Sequence, residues 1–241
     1  KDPDGLQVTP GTASLPAGLI PAGKSTVFEQ EVDVANPKLW DLITPNLYQA
    51  SVQVSVADKP VDSETVNFGI RSIEFKADTG FWLNGKNVRI YGACLHEDGG
   101  AFWMAVPASI WEYRLEQLRK IGVNAIRTVH NPPAPEFMDL CDRMGFLVMT
   151  ETFDVWHGVD GGATYGYQTL FDQWWQADTR DIVLRDRNHP SLIAYNTANE
   201  PHENLNDDQA RTAFTEQRDL IHQLDRTRPV TAAIGRPNDA H

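Results

Sequence analysis

Cysteine is scarce in this sequence. The 241 residues hold two, Cys94 and Cys141, both in apolar surroundings and without metal-type Cys/His spacing. That excludes a disulfide framework and a zinc cluster, and it reads both thiols as packing residues. Long apolar runs are also missing: none approaches the ~18 residues of a membrane-spanning helix, and the opening Lys-Asp-Pro-Asp-Gly lacks the apolar core of a secretion signal. A soluble protein is expected, with no membrane partner and the compartment left open. Positive charge is in short supply, with 21 Lys and Arg against 33 Asp and Glu and a net charge of -12. A phosphate-binding surface needs clustered cations, so nucleic acid is a poor partner and a neutral or weakly charged substrate a better one. No internal repeat or low-complexity tract is present, and a hydrophobic content of 41% is enough for a sizeable core.

The chain changes character along its length. Residues 1–24 are rich in Pro, Gly, Thr and Ala, with the weak periodicity of a loop or linker. Residues 26–34 and 47–56 alternate apolar and polar side chains (Val32, Val34; Val52, Val54, Val56), which predicts half-buried strands. Residues 1–70 are therefore expected to form a small immunoglobulin-like β-sandwich, short of strands at its start. Asn84-Gly85, between Phe81-Trp82-Leu83 and Val88-Arg89-Ile90, predicts a hairpin.

Short apolar runs then alternate with amphipathic helices over residues 71–241, the habit of a parallel α/β domain. Ser109 with Glu112 suggests a capping box ahead of a helix whose Trp111, Leu115, Leu118 and Ile121 share a face and which stops at Gly122. Pro135 near a first turn, the stripe Phe137, Leu140, Cys141, Met144, and Gly145 define a second helix. Two more helices lie over 171–187 and around Ala210 to Leu224. Strands are expected at 89–93, 125–127, 146–149, 192–196 and 230–233. A complete (β/α)8 barrel takes about 250 residues; five strands and four helices make the N-terminal part of one.

In such a barrel the functional side chains follow the strands. The polar residues in those places are His96, Glu97 and Asp98; Arg127, His130 and Asn131; Glu151 and Asp154; Asn199 and Glu200. Each also has an ordinary reading. Glu200 could compensate a helix dipole, Arg127 and Glu151 could be a buried structural ion pair, the histidines could be satisfied rim residues, and Trp82, Trp103 and Trp156 could be packing rather than stacking surfaces. Four consecutive strands delivering such groups to one rim is the stronger pattern.

At these residues the sequence resembles glycoside hydrolase family 2. Asn36-Pro37-Lys38-Leu39-Trp40, Pro45-Asn46-Leu47-Tyr48 and Phe68-Gly69-Ile70-Arg71 are similar to the family's sandwich domain and its exit. Phe81-Trp82-Leu83-Asn84-Gly85-Lys86 resembles the hairpin before the barrel. Gly92-Ala93-Cys94-Leu95-His96-Glu97-Asp98 and Asn124-Ala125-Ile126-Arg127-Thr128-Val129-His130-Asn131-Pro132 resemble the first two barrel strands, with Cys94, Leu95 and Val129 departing from common choices. Ala198-Asn199-Glu200 is similar to the acid/base motif, and Glu151-Thr152-Phe153-Asp154-Val155-Trp156 to the β-galactosidase-like branch, with Thr150 where an Asp is common.

The resemblance implies a retaining hydrolase acting on terminal β-glycosides by double displacement. Glu200 would be the acid/base. Asn199, His96, Asp98, Arg127, His130, Asp154 and Trp156 would bind substrate, and Glu151 would support the site. The nucleophilic Glu belongs to a seventh strand that this sequence does not reach. Glu203 on a loop and Glu216 in a helix are no substitutes, so the isolated chain is expected to be inactive. No cofactor is assigned: magnesium binds beside the acid/base in some members, and its ligand pattern is only partly present here, through His157, so it stays open. The expected partners are an oligosaccharide or glycoside and the remainder of the enzyme. A non-catalytic carbohydrate-binding fragment and one subunit of a split enzyme are the rival readings.

Overall fold

Backbone chemistry fixes the turns first. Asn84 and Gly85 have φ of 52° and 73°, the paired left-handed values of a two-residue hairpin turn. They join β4 (Gly80–Leu83) to β5 (Lys86–Asn87), and β3 (Ile73–Lys76) pairs antiparallel on the other edge of β4. Ala57 and Asp58, at 49° and 62°, turn β1 (Tyr48–Val56) into β2 (Lys59–Phe68). The computed structural model describes residues 1–8, 15–157, 165–200 and 208–234.

Of the sandwich layer, the described residues hold this one hairpin. Residues 26–34, expected as a strand, have no strand partner, and Val27, Phe28 and Val32 are exposed. Alternation marks a strand only where a neighbouring strand and a core receive it, and neither is offered here. The Val52, Val54 and Val56 face of β1 is likewise exposed.

The larger sheet is parallel: β6 (Gly92–His96), β7 (Ala125–Val129), β8 (Leu147–Glu151), β9 (Leu192–Asn199) and β10 (Val230–Ala233). Its spatial order follows the sequence with no reversal. A doubly wound sheet reverses direction from its first strand; a barrel does not. Four helices cross between the strands: α1 (Ala108–Lys120), α2 (Pro135–Met144), α3 (Phe171–Asp186) and α4 (Asp208–Leu224). The chain thus carries an immunoglobulin-like portion followed by the first five strands of a (β/α)8 barrel.

The main core packs Trp111, Leu115, Phe137, Met138 and Ile221 from the helices against Ile126, Val148, Leu192 and Tyr195 from the strands. A second cluster joins Phe153 and Trp156 to Phe171 and Trp175 of α3 and Ala210 and Ala213 of α4. A third lies at the strand starts, where Trp40, Phe81 and Leu83 cover Ala125, Leu147 and Ile193. Among the described residues no helix is long and apolar enough to cross a membrane.

Three local expectations are corrected. The first barrel strand begins at Gly92 rather than at residue 89, because the Asn124 side chain binds Tyr91 N–H (2.8 Å) and Arg89 O (2.9 Å) and holds that stretch out of the ladder. Helix α1 is preceded by Pro107 with no side-chain cap bond, so no Ser109 capping box forms, and Ile121 ends the helix 78% exposed. Cys94, expected inside, is exposed on the edge strand β6, while Cys141 is buried.

The early segment is fastened to the start of β9. Arg71 donates to the Pro190 and Leu192 carbonyls (2.6 and 2.5 Å), and Arg228 donates to the Leu192 and His189 carbonyls (2.7 and 2.9 Å). Burial and the neighbouring Arg228 charge lower Arg71 to a pKa of about 9. Trp40, fully buried, donates its indole N–H to the Asp142 carbonyl at 2.8 Å.

Candidate active site

The C-terminal ends of β6 to β9 place the expected rim residues at one end of the sheet. Arg127 on β7 is the hub. Its Nη2 lies 3.1 and 2.9 Å from the two Glu151 carboxylate oxygens and donates to Asn199 Oδ1 at 2.8 Å. An arginine only donates, so the Asn199 amide must turn its oxygen to Arg127 and its NH2 outward. One of those N–H bonds reaches Asp154 Oδ1 at 3.3 Å, while the Asn199 backbone N–H donates to the Asp154 carbonyl at 2.7 Å. Side chains from three strands are thereby locked into one donor and acceptor array, with a second amide hydrogen left for a ligand.

Glu151 is wholly buried. Burial raises its pKa to about 7, with the Arg127 charge and hydrogen bond opposing the rise. His130 stands over the pair, its Nδ1 3.8 Å from Glu151 Oε1 and 3.9 Å from Asp154 Oδ1. Desolvation lowers the His130 pKa, and the nearby Arg127 and His96 charges add to the lowering; Asp154 and Glu200 pull the other way. The His96 ring meets it edge-on at 5.0 Å between centroids. His130 Nδ1 and Arg127 Nε are buried atoms with no hydrogen-bond partner among the described residues. Such orphans are rare unless a ligand or water completes them.

Glu200 directly follows the last residue of β9, Asn199, and its side chain is exposed. Its φ is 39°, in the left-handed region that a side chain of this size seldom adopts, and its N–H donates to the Ala233 carbonyl at 2.6 Å. Backbone held in this region tends to mark functional positions.

Not every expected residue joins the array. Asp98 turns its carboxylate to the Gly100 N–H (2.7 Å) and braces its own loop. Glu97 accepts from Ala134 N–H at 3.0 Å, ahead of α2. Trp156 is corrected outright: it is fully buried, donates to the Thr197 carbonyl at 3.0 Å and offers no face to a sugar. Trp103, in contrast, is 81% exposed. Glu216 lies exposed on α4, and Glu203 falls outside the described residues. Sequence reasoning gave Cys94 only a packing role, yet its Sγ is 3.8 Å from Arg127 Nη1; the ladder pairing of the two residues carries that proximity.

His157, the one residue matching a magnesium pattern, has Nε2 2.7 Å from Asp172 Oδ1. Among the described residues, the one group of carboxylates and histidine close enough to hold a metal is Asp139, Asp142 and His189. Those residues precede β8 and β9, so they lie at the end of the sheet away from the rim. There His189 Nδ1 is already 2.6 Å from Asp142 Oδ2.

Known proteins share this fold. Residues 73–238 match the family described as "Glycosyl hydrolases family 2, TIM barrel domain", and residues 5–71 match "Glycosyl hydrolases family 2". A β-galactosidase of Bacteroides ovatus is 37% identical across 100% of the chain, which covers 31% of that relative. A putative β-glucuronidase of Formosa agariphila is 41% identical over 87% of the chain and 19% of its own length. Among solved structures, a family 2 member from Bacteroides cellulosilyticus superposes with a TM-score of 0.79 at 39% identity, covering 83% of this chain and 26% of that one. A β-glycosidase from Bacteroides vulgatus gives 0.77 at 40% identity, covering 83% and 25%. The chain spans less than a third of the length of these relatives. With its barrel portion and its accessory portion both matched, the chain belongs to glycoside hydrolase family 2.

Proposed function

We propose that the chain supplies the acid/base half of a retaining β-glycosidase, β-galactosidase-like, that cleaves terminal glycosides by double displacement. The observation that carries this reading is the convergence of Asn199 and Glu200 with Arg127, His130, Glu151 and Asp154 on one rim. In the first step the Glu200 carboxyl gives its proton to the glycosidic oxygen, and the bond from the anomeric carbon to that oxygen breaks. The sugar passes to a second carboxylate, about 5 to 5.5 Å from the first in retaining enzymes. In the second step the Glu200 carboxylate takes a proton from water as its oxygen attacks the anomeric carbon, which releases the sugar and restores both groups. The free amide hydrogen of Asn199 suits the sugar 2-hydroxyl oxygen, a contact that tightens as positive charge develops on the ring.

The second carboxylate comes from outside these residues, so the isolated chain is inactive and its partner is the remainder of the barrel. Relatives of similar identity are named for galactosides and for glucuronides; Phe153-Asp154-x-Trp156 favours the galactosidase branch. Co-expression with a polypeptide carrying the remaining barrel strands tests the reading. Hydrolysis of an aryl β-galactoside should appear on reconstitution and disappear with Glu200→Gln. Turnover by the 241-residue chain alone, lost in the same variant, would show that its nucleophile lies within and sink the half-site assignment.

A further inference from the structure

Next to the rim lies a cavity of about 520 Å3, walled by the loops after β7 and β8 and by one face of α3. Binding sites for small molecules span roughly 300–1,000 Å3, so it can take a sugar ring. A smaller cavity beside Leu95 and Trp111 holds only about 10 Å3 and admits at most one water. His130 and Asp154 line the larger space. It therefore opens from the same rim residues that would hold the reacting sugar.

Its chemistry is uneven in a way that selects a ligand. Among the described residues, Asp154, Asp178 and Asp181 bring three carboxylates to the wall, against one arginine, Arg185. Arg185 is already committed: its Nε and Nη2 bind the Asp186 carboxylate (2.6 and 2.8 Å), and Nη2 also reaches the Pro133 carbonyl at 2.9 Å. Asp178 accepts from the Tyr167 hydroxyl, and a carboxylate has acceptor sites for several such donors. The Tyr167 ring stacks on Phe153 with centroids 4.8 Å apart, and both line the space, giving an apolar patch of the kind the C–H face of a sugar covers. Acceptors in excess, no free cation among the described lining residues and an aromatic wall suit a neutral polyol that donates hydroxyl hydrogens. They repel a uronate.

We propose that this cavity is a second sugar subsite, which takes a neutral saccharide unit linked to the one at the rim. The substrate is then a neutral di- or oligosaccharide rather than a uronide or a simple alkyl glycoside. This deepens the glycosidase reading and rests on it.

The test uses the 15N-labelled 241-residue chain and amide shift titrations with methyl β-galactoside, with the neutral disaccharides lactose, cellobiose and mannobiose, and with digalacturonate. The best neutral disaccharide should bind about tenfold more tightly than methyl β-galactoside, the gain of one or two added hydrogen bonds. It should shift the amides of Tyr167 and Asp181 as well as those of His130 and Asn199. Asp181→Ala, at an exposed helix position, should remove most of that gain and leave methyl β-galactoside binding unchanged; Asp178→Asn provides a second variant of the same wall. Equal affinities for disaccharides and methyl β-galactoside, with shifts confined to His130 and Asn199, would overturn the subsite and leave the glycosidase reading standing. Tighter binding of digalacturonate would overturn its neutral selectivity. If no sugar moves His130 or Asn199, both the subsite and the reading beneath it fail.

Discussion

Glu151→Gln should change how the stability of the chain depends on pH, and the size of the effect follows from burial. The Glu151 side chain is wholly inaccessible and its pKa stands at about 7 in the folded state, against an ordinary 4.5. At 1.36 kcal/mol per pH unit that difference is worth about 3 kcal/mol. The sign follows from proton counting. Between the two values the native state holds a proton that the unfolded chain has released, so stability is greatest at low pH, declines as pH rises from about 4.5, and levels off above about 7. Glutamine cannot titrate, yet its carbonyl oxygen can still accept from Arg127.

Urea unfolding at pH 5.5, 6.5, 7.5 and 8.5 avoids the isoelectric point near 4.9. Over that range the wild type should lose about 2 kcal/mol more than the variant. Both chains contain the same histidines, so their titration cancels in the comparison. Parallel stability curves would refute the argument, since they would mean that Arg127 keeps the Glu151 carboxylate ionised across the whole range.

Three further outcomes are expected. Gly145→Ala should destabilise the chain by about 2 kcal/mol or more in urea unfolding, because φ is 67° there and an added Cβ would sit 2.7 Å from the Leu42 carbonyl oxygen. Trp156→Phe should cost about 1–2 kcal/mol by removing the indole N–H bond to the Thr197 carbonyl, which keeps only the longer contact from the Thr152 hydroxyl, with sugar-induced shifts at His130 and Asn199 unchanged; a selective loss of sugar binding would restore Trp156 to the site. Burial disfavours the His189 cation, but the Asp142 carboxylate outweighs it and raises the pKa above 6.5. Its contribution is therefore complete below about pH 6.5 and lost as pH rises through the folded value. His189→Asn should lower the urea midpoint more at pH 5.5 than at pH 8.5.

What could be read from the sequence was mostly local or periodic. The Asn84-Gly85 turn, Pro135 at the start of α2 and Gly145 at its end depend on φ preferences that neighbours seldom override. The alternation of short apolar runs with helices gave five strands in sequential order, because each crossover must bury one face of each element. The misses needed tertiary information. Residues 26–34 alternate as a strand does but meet no ladder, and residues 89–91 look continuous with the first barrel strand until the Asn124 side chain claims their backbone. Trp156 and Asp154 are two residues apart, yet one fills the core and the other faces the rim. Nothing in their spacing separates the two. The 520 Å3 cavity was illegible as well, since Asp178 and Asp181 are ordinary polar residues on a helix until the fold sets them opposite Asp154.

The two guanidinium groups at the head of β9 have a consequence for anyone who rebuilds this protein. A strand advances about 3.3 Å per residue, so the grip of Arg71 and Arg228 on Leu192 sets where Asn199 falls, roughly 23 Å away. Arg71 lies outside the sheet, just past the end of β2. A chimera that trims the accessory portion back to the first barrel strand discards one of the two pins, and slippage by a single residue would turn Asn199 away from Arg127. Transplants between family members should carry position 71 along with the barrel.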